Sequence, residues 1–212
     1  FTAVVASLLY VSCTKPQTTL SENERPFNPP IMGWSSWNAF LVDISEDIIK
    51  HQADLMVEKG LKDAGYQYIN VDDGYFGKRD ENGVMQANEK RFPNGMKPVA
   101  DHIHSLGMKA GLYTDAGTRT CGSLWNKDSI GIGAGIYGHE PQDAQLYFGD
   151  WGFDFIKIDY CGGEVLGLDE KERYTSIRNS IDKVNKNVSI NICRWAYPGT
   201  WAKDAATSWR IS

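Results

Sequence analysis

Nucleotide-binding motifs are missing where an α/β chain would carry them. No G-x-G-x-x-G follows the first predicted strand, and the chain has no P-loop motif, which argues against a nucleotide cofactor. Cysteine is also scarce, with four residues in the 212-residue chain. These cysteines form no C-x-x-C pair and no His/Cys ligand spacing, so a structural zinc site is not expected. The sequence therefore predicts neither a cofactor nor a bound metal.

The sequence also has no excess of positive charge. Its 22 Lys and Arg residues are outnumbered by 27 Asp and Glu residues, which gives a net charge of -5 at pH 7. Nucleic acids and anionic membrane surfaces attract basic proteins, so neither is expected as a partner. Aromatic residues are plentiful, with seven Trp and ten Tyr. Because exposed aromatic rings stack on the apolar faces of sugars, this composition slightly favours a carbohydrate ligand. The sequence makes no prediction of the oligomeric state.

The first 30 residues predict an export segment and a tether. Residues 1–13 begin with an apolar run that is too short to span a bilayer and is typical of a signal peptide. Residues 9–13 are similar to a bacterial lipoprotein cleavage box with Cys13 as the lipidated residue; an ordinary signal peptide is the alternative. Residues 14–30 contain four prolines among polar residues and predict a flexible tether. We therefore expect export, to the bacterial periplasm or as an outer-membrane lipoprotein, or else secretion.

From residue 31 to residue 212, strand-like and helix-like segments alternate. Strands are predicted at 31–37, 66–71, 108–113, 153–161, 188–195 and 208–212. Helices are predicted at 45–64, 97–106, 140–148, 169–185 and 200–206, and long loops at 72–96 and 115–138. Such alternation is typical of parallel strands joined by helices, which leaves a doubly wound sheet or a (β/α) barrel.

Polar and reactive residues stand at or just after the ends of five predicted strands. The members of this set are Asp72, Asp73, Tyr113, Asp115, Lys157, Asp159, Cys193, Trp195 and Arg210. A barrel enzyme builds its site from the ends of many strands, whereas a doubly wound sheet concentrates its site at one switch point. We therefore predict a (β/α)8 TIM barrel, of which residues 31–212 form the first five to six βα units.

The strand that ends at Asp159 is unusually polar. Side chains alternate along a strand, so Phe155, Lys157, Asp159 and Cys161 are expected on one face. A cation beside a carboxylate favours the ionised form, so Lys157 is expected to hold Asp159 charged. For an isolated K-x-D pattern, the alternative is a structural ion pair at a strand end.

Five short motifs follow one another from residue 32 to residue 210. They are Met32-Gly-Trp-Ser-Ser-Trp-Asn38, Asn70-Val-Asp-Asp-Gly74, Gly111-Leu-Tyr-Thr-Asp-Ala-Gly117 with Cys121, Lys157-Ile-Asp-Tyr-Cys161 and Ser208-Trp-Arg210. Each motif alone is weak, but the five together resemble the α-galactosidase (melibiase) family of retaining glycoside hydrolases. The resemblance implies a (β/α)8 barrel that releases terminal α-linked galactose from an oligosaccharide or glycan by double displacement.

The resemblance also implies roles for individual residues. Asp159 matches the nucleophile, which forms a covalent glycosyl-enzyme and leads to net retention. The residues expected to bind the substrate are Trp37, Asp72, Asp73, Tyr113, Lys157, Cys193, Trp195 and Arg210. An ordinary turn is the alternative for Asp72 and Asp73, and plain core packing is the alternative for Trp37.

Two cysteines match positions that form a disulfide in the family, Cys121 and Cys161; the alternative is two free thiols. The chain departs from the family pattern at Cys193-Arg-Trp195, where many members have Cys-Glu-Trp. This leaves N-acetylgalactosamine and L-arabinopyranose open as alternatives to galactose. The family's general acid/base is an aspartate a few residues beyond the arginine of the S-W-R motif, so it is expected beyond Ser212. We expect the 212 residues by themselves to be inactive.

Two other function classes stay open at this point. A barrel with the same pocket could bind glycans without turning them over, and the identity of the acid/base residue would distinguish it from an enzyme. A metal-dependent hydrolase would use Asp72, Asp73, His102 and His104. The two histidines are two positions apart on a predicted helix and so point in different directions, which argues against a shared metal. The sequence favours the retaining glycosidase.

Overall fold

The computed structural model describes residues 30–211 of the chain. The predicted signal segment with Cys13, and residues 14–29 of the predicted tether, lie outside the described residues, so both stay predictions. The described strands are β1 (Gly33–Ser35), β2 (Tyr68–Asn70), β3 (Phe76–Arg79), β4 (Met85–Ala87), β5 (Lys109–Asp115), β6 (Phe155–Asp159), β7 (Ser189–Cys193) and β8 (Ser208–Trp209).

The helices alternate with these strands. They are α1 (Trp37–Phe40), α2 (Glu46–Glu58), α3 (Lys97–Ser105), α4 (Cys121–Trp125), α5 (Glu140–Ala144), α6 (Cys161–Val165), α7 (Glu170–Val184) and α8 (Ala202–Ala205). A 3-10 turn at Ser129–Gly131 and a π-helical turn at Gln145–Asp150 complete the regular structure of residues 30–211. None of the helices in this range has the length and apolarity needed to cross a bilayer.

Six strands form one parallel sheet in the order β1-β2-β5-β6-β7-β8. Every neighbouring pair is parallel, and α2 and α3 pack against the sheet at β2 and β5. Strand residues such as Ile69, Leu112 and Ile156 are fully buried in the core. Because the strands are parallel and follow chain order, all their carboxyl ends lie at one edge of the sheet. This is the strand arrangement of a (β/α)8 barrel, and it brings the predicted site residues to one side.

Helix α2 begins where the sequence predicts and ends earlier. The hydroxyl oxygen of Ser45 accepts a hydrogen bond from the first turn, as an N-cap does. The helix stops at Glu58 because Gly60 adopts a φ of 73°, and the N–H of Leu61 then donates to the carbonyl of Met56 at 2.9 Å. These are features of a Schellman motif. The prediction of a helix up to residue 64 was therefore wrong over its last turn and a half.

The predicted loop at 72–96 contains a two-stranded antiparallel sheet, β3 and β4. One carboxylate oxygen of Asp80 accepts hydrogen bonds from the N–H groups of Asn82 and Val84, both at 2.9 Å, which closes the turn between the strands. The guanidinium of Arg79 contacts the carboxylate of Asp143 at 2.6 and 2.7 Å. The sequence did not predict this hairpin, because its strands are only four and three residues long. The ion pair that anchors it joins residues 64 positions apart, so no local pattern reveals it.

Two other segments also differ from their predicted form. The predicted helix at 140–148 is α5 followed by the π-helical turn, and the predicted loop at 115–138 contains α4 and the 3-10 turn. The side chain of Thr120 caps α4 by accepting from the N–H of Ser123 at 3.2 Å. Asp128 caps the 3-10 turn by accepting from the N–H of Ile130 at 3.1 Å. Polar side chains thus give a glycine-rich segment a defined structure.

Candidate active site

The register of the parallel strands places five of the strand-end residues in two rows. Asp159 on β6 is the register partner of Asp115 on β5 and of Cys193 on β7. Two residues earlier on each strand, Lys157 is the partner of Tyr113. Partners in a parallel sheet present their side chains to the same face. The alternation that the sequence predicts therefore gathers these side chains at one point of the sheet.

Lys157 forms an ion pair with Asp72. Its Nζ donates to the two carboxylate oxygens of Asp72 at 2.9 and 3.2 Å, and it lies 3.9 Å from the nearer oxygen of Asp159. Ser35 at the end of β1 donates its hydroxyl to Asp72 at 3.1 Å, and the hydroxyl oxygen of Ser36 accepts from the Asp72 N–H at 3.0 Å. Burial lowers the pKa of Lys157, but the charges of Asp72 and Asp159 outweigh burial and raise it above its ordinary value. Lys157 is therefore charged.

Asp159 is buried, with 5% of the residue exposed. Burial raises its pKa above the ordinary value of an aspartate. The positive charge of Lys157 lowers the pKa, and so do hydrogen bonds from the Cys193 thiol and the Tyr113 hydroxyl, while the Asp72 charge raises it. Lys157 lowers the pKa of Asp159, as the sequence predicts, but burial raises that pKa by more.

Asp73 lies next to Asp72 and contacts the backbone of α4. Its side chain is 0% exposed, and one carboxylate oxygen accepts from the N–H of Gly122 at 2.9 Å. Burial raises the pKa of Asp73 to about 7, against the lowering effect of its hydrogen bonds with Thr120 and Gly122. In this structure Asp73 joins the end of β2 to the loop after β5. A role in binding sugar hydroxyls stays a prediction for this residue.

Two aromatic rings lie close to the Lys157 ammonium. The ring centroid of Tyr113 is 5.1 Å from Nζ, and that of Trp37, at the start of α1, is 6.0 Å away. Tyr113 is buried, and its hydroxyl oxygen accepts from the N–H of Cys121 at 3.2 Å. Trp37 is half-buried, so it lies at the site rather than inside the core. The structure therefore brings both predicted aromatic residues to Lys157.

The predicted disulfide between Cys121 and Cys161 is present, with an S–S distance of 1.93 Å. It joins the loop after β5 to the start of α6. Asp115 makes a second connection between the same segments, since its carboxylate accepts from the N–H groups of Gly117 at 2.7 Å and Gly162 at 3.0 Å. Burial raises the pKa of Asp115 to about 7.

Asp115 is a residue of the site to which the sequence assigned no role. The signal was present, because Asp115 stands at a strand end within one of the five motifs, two positions before Gly117. A Cβ atom on Gly117 would lie 2.1 Å from the carbonyl carbon of Gly162, so the two backbones touch where Asp115 bonds to both. Asp115 therefore positions the loop that follows Asp159.

Cys193 and its neighbours lie at the end of β7. The thiol of Cys193 is buried, and burial together with the Asp159 charge raises its pKa to about 12, so it is a neutral hydrogen-bond donor. The guanidinium of Arg210 lies 3.9 Å from the Cys193 sulfur and 5.6 Å from the ring centroid of Trp195. The structure thus brings these three predicted binding residues together at the ends of β7 and β8, and two of them, Cys193 and Trp195, line one cleft with Asp159.

Arg194 points toward α6 and α7. It forms ion pairs with Glu164 at 3.1 Å and Glu170 at 2.7 Å, and its guanidinium lies 5.2 Å from the ring centroid of Tyr160. The sequence left open whether Arg194 meets the sugar. In this structure two carboxylates already hold its guanidinium.

A family model described as alpha galactosidase A matches residues 29–209. The chain belongs to this family. Alpha-galactosidase A of Cellvibrio japonicus is 41% identical over 198 residues, which cover 92% of this chain and 46% of the relative. The chain thus spans about half the length of the curated relatives it matches.

Solved structures of alpha-galactosidases share the fold of this chain. Alpha-galactosidase I from Mortierella vinacea superposes with a TM-score of 0.77 at 33% identity and covers 91% of this chain and 47% of its own. The alpha-galactosidase from Saccharomyces cerevisiae, solved with raffinose, has a TM-score of 0.76 at 35% identity, with 86% of this chain and 39% of its own covered. The predicted family and the predicted barrel fold are confirmed.

The metal-dependent alternative finds no support among residues 30–211 of this family member. His102 pairs with Asp54 and His104 with Asp154, each at 2.8 Å. The ligand atoms of these histidines do not cluster with Asp72. The one group of suitable ligand atoms in this range is Asp115 with Cys121 and Cys161, and the disulfide occupies both of its sulfur atoms.

Proposed function

We propose that the full-length protein containing this segment is a retaining exo-α-galactosidase. It releases terminal α-linked galactose from oligosaccharides or glycoconjugates, and Asp159 is the nucleophile. The observation on which the proposal rests is the position of Asp159, at the end of β6 beside the Lys157–Asp72 ion pair, in a chain of the alpha galactosidase A family. The named relatives are alpha-galactosidases, and one of their solved structures contains raffinose, an α-galactoside.

The chemistry begins with attack by the Asp159 carboxylate on the anomeric carbon. The bond to the leaving oxygen breaks, a covalent glycosyl-enzyme forms, and water then releases galactose with its α configuration retained. Lys157 lowers the pKa of Asp159 without pairing with it closely, since its short contacts go to Asp72. The Cys193 thiol and the Tyr113 hydroxyl also lower the pKa of Asp159 and so favour its charged form. Trp37, Asp72, Trp195 and Arg210 surround this point and are proposed to bind the sugar.

Double displacement needs a second carboxyl group that protonates the leaving oxygen. The other carboxylates near Asp159 in the described residues are already engaged. Asp72 pairs with Lys157, and Glu164, which lines the same cleft as Asp159, pairs with Arg194. Asp73 and Asp115 are buried and accept from backbone N–H groups. We therefore infer that the acid/base residue belongs to the part of the full-length protein that follows Arg210.

The function is tested with Asp159→Asn in the full-length protein. We expect hydrolysis of nitrophenyl α-galactoside to be lost, because the amide cannot act as nucleophile, while the thermal unfolding midpoint changes little. The matching nitrophenyl α-N-acetylgalactosaminide and β-L-arabinopyranoside are assayed in parallel and are expected to be poorer substrates. Proton NMR at early times should show α-galactose from the unmodified enzyme. Substantial activity of the variant would contradict the assignment of Asp159 as the nucleophile. A β product would contradict a retaining reaction.

We also propose that the protein is exported. The Cys121–Cys161 disulfide supports this, because disulfides persist in oxidising compartments. Lipidation at Cys13 would anchor the protein to a membrane, and fractionation of cells that express Cys13→Ser tests this proposal. A variant that stays in the membrane fraction as fully as the unmodified protein would rule out Cys13 as the anchor.

A further inference from the structure

Arg194 stands in the chain between two residues of the site. Its neighbours Cys193 and Trp195 line the cleft of about 470 Å³ that contains Asp159. Arg194 lines the same cleft, but its guanidinium extends toward the start of α7 and lies 2.7 Å from the carboxylate of Glu170. Glu170 is not among the described residues that line this cleft. A substitution at Glu170 therefore changes the contacts of Arg194 from outside the cleft.

Three groups hold the Arg194 side chain. Glu164 on α6 accepts a hydrogen bond from its guanidinium at 3.1 Å, Glu170 on α7 contacts its Nε, and the ring centroid of Tyr160 lies 5.2 Å from the guanidinium. The Glu164 side chain is 69% exposed and that of Glu170 is 27% exposed. Solvent screens a partly buried ion pair less than an exposed one. Glu170 is therefore the stronger of the two acidic partners.

The aromatic ring under the guanidinium has little freedom to move. Tyr160, which directly follows Asp159, stacks on Tyr174 of α7 with a centroid distance of 5.8 Å, and Tyr174 stacks on Trp201 at 5.9 Å. The hydroxyls of the two tyrosines each donate to a backbone carbonyl, at 2.6 and 3.0 Å. Arg194 thus contacts a fixed surface that adjoins the nucleophile.

A fixed Arg194 restricts the backbone on both sides of it. The positions of Cys193 and Trp195 depend on this backbone, because the two residues are joined through it. The Cys193 thiol lowers the pKa of Asp159, and Trp195 is proposed to bind the sugar. Small displacements of such groups can lower the rate of an enzyme strongly.

We propose that Arg194 is a positioning residue for the hydrolysis, held by its two glutamate partners so that Cys193 and Trp195 keep their places beside the nucleophile. The proposal rests on the proposed function, since a residue can only position groups for a reaction that occurs. Arg194 acts through its neighbours in the chain and requires no contact with the sugar.

Positioning and charge predict opposite effects of Glu170→Gln on the acid limb, the fall of kcat/KM at low pH. The variant loses a negative charge, and charge alone would lower the pKa of Asp159 and move the acid limb to lower pH. If Cys193 is displaced instead, its lowering effect is lost and the acid limb moves to higher pH. The other titratable groups around Asp159 are kept in the variant; they are Lys157, Asp72, Tyr113, Asp115, Tyr174 and Arg210.

The test measures kcat/KM on nitrophenyl α-galactoside against pH with the full-length enzyme. Glu170→Gln is expected to lower the optimal kcat/KM roughly fivefold, an effect usual for residues in contact, and to move the acid limb to higher pH. In an Arg194→Met background the same substitution should have no further effect, because its partner is gone. Arg194→Lys keeps the positive charge and should retain part of the activity.

Glu172→Gln is the matched control. Glu172 is also in the first turn of α7, so its substitution removes the same charge near the helix N-terminus. Residues two positions apart on a helix do not face each other, and Glu172 is exposed. This variant should therefore keep both the optimal kcat/KM and the acid limb of the unmodified enzyme.

The other results are distinct from one another. An acid limb of Glu170→Gln that is unchanged or moves to lower pH would overturn the proposal, and so would an equal loss with and without Arg194. Partial unfolding cannot imitate the expected result, because the position of the acid limb does not depend on the amount of folded enzyme. These results leave the galactosidase function intact. If the unmodified enzyme does not hydrolyse the substrate, the proposed function fails, and the positioning role fails with it.

Discussion

Lys157 lies between two buried carboxylates, and the distances determine how it acts on each. Its Nζ is 2.9 Å from an oxygen of Asp72 and 3.9 Å from an oxygen of Asp159. The nearer carboxylate receives the hydrogen bonds, whereas the farther one experiences mainly the charge, which acts over a longer range. Lys157 can therefore favour the ionised form of Asp159 while that carboxylate stays available for attack on a substrate.

This arrangement predicts a pH effect of Lys157→Gln in the full-length enzyme. The nucleophile acts when deprotonated, so activity falls as the pH drops through the pKa of Asp159. Removing the positive charge raises that pKa further, because burial and the Asp72 charge then act without opposition from Lys157. We expect the acid limb of the kcat/KM profile to move to higher pH. The measurement is kcat/KM on nitrophenyl α-galactoside across the acidic range.

Lys157→Arg is the matched control, because it keeps the positive charge at the same position on β6. Its acid limb should stay close to that of the unmodified enzyme even if its maximal rate falls. An acid limb at the same pH in Lys157→Gln as in the unmodified enzyme would show that the charge of Lys157 does not act on the nucleophile.

The loop after β5 and the helix after β6 are joined twice. The disulfide links Cys121 to Cys161 across 40 positions of the chain, and Asp115 bonds to backbone N–H groups of both segments. These connections adjoin the end of the strand that carries Asp159. The disulfide also attaches the first residue of α4 to the start of α6. These two connections thus position the loop that follows the nucleophile strand.

The double variant Cys121→Ser with Cys161→Ser is expected to be less stable. For a closed loop of this size, the chain-entropy estimate of the lost stabilisation is about 4 kcal/mol. The measurement is the free energy of unfolding in urea, compared with the unmodified full-length protein under oxidising conditions. A loss well below 1 kcal/mol would contradict a stabilising role of the disulfide.

Reducing agent provides the control for this prediction. Dithiothreitol should lower the stability of the unmodified protein toward that of the double variant and should leave the double variant unchanged. The third described cysteine, Cys193, forms no disulfide, so a further effect of the reductant on the double variant would point to a different cause.

The described sheet has two edge strands, β1 and β8. In residues 30–211 each of them has one hydrogen-bonded neighbour, whereas every strand of a closed barrel has two. Inward-facing groups of Asp72, Lys157 and Asn191 line a cavity of about 360 Å³ along this open sheet. Unpaired strand edges are sites at which chains associate with one another.

The 212-residue segment, expressed by itself, is therefore expected to associate and to unfold without a sharp transition. Light scattering after size-exclusion chromatography should detect oligomers, and circular dichroism should show a broad thermal transition. The full-length protein in the same buffer is the control. A monomeric segment with one sharp, reversible transition would refute this expectation.

Much of the fold could be predicted from local pattern. The six sheet strands lie within their predicted segments or within two residues of them, because strand and helix periodicity are properties of neighbouring residues. The β3–β4 hairpin could not be predicted in the same way. Its strands are short, and the Arg79–Asp143 contact that anchors it joins residues 64 positions apart. Among the site residues, Asp115 was recognised as a strand end, but its backbone partners become visible only in three dimensions.

The sequence by itself determined the family, the alternation of strands and helices, and which side chains stand at strand ends, since motif and periodicity are local properties of the chain. Tertiary structure decided how those side chains act. It pairs Lys157 with Asp72, 85 positions away, and it buries Asp159 so deeply that its pKa lies above the ordinary value despite Lys157. Distances and burial depend on how remote segments pack, and no local pattern contains that information.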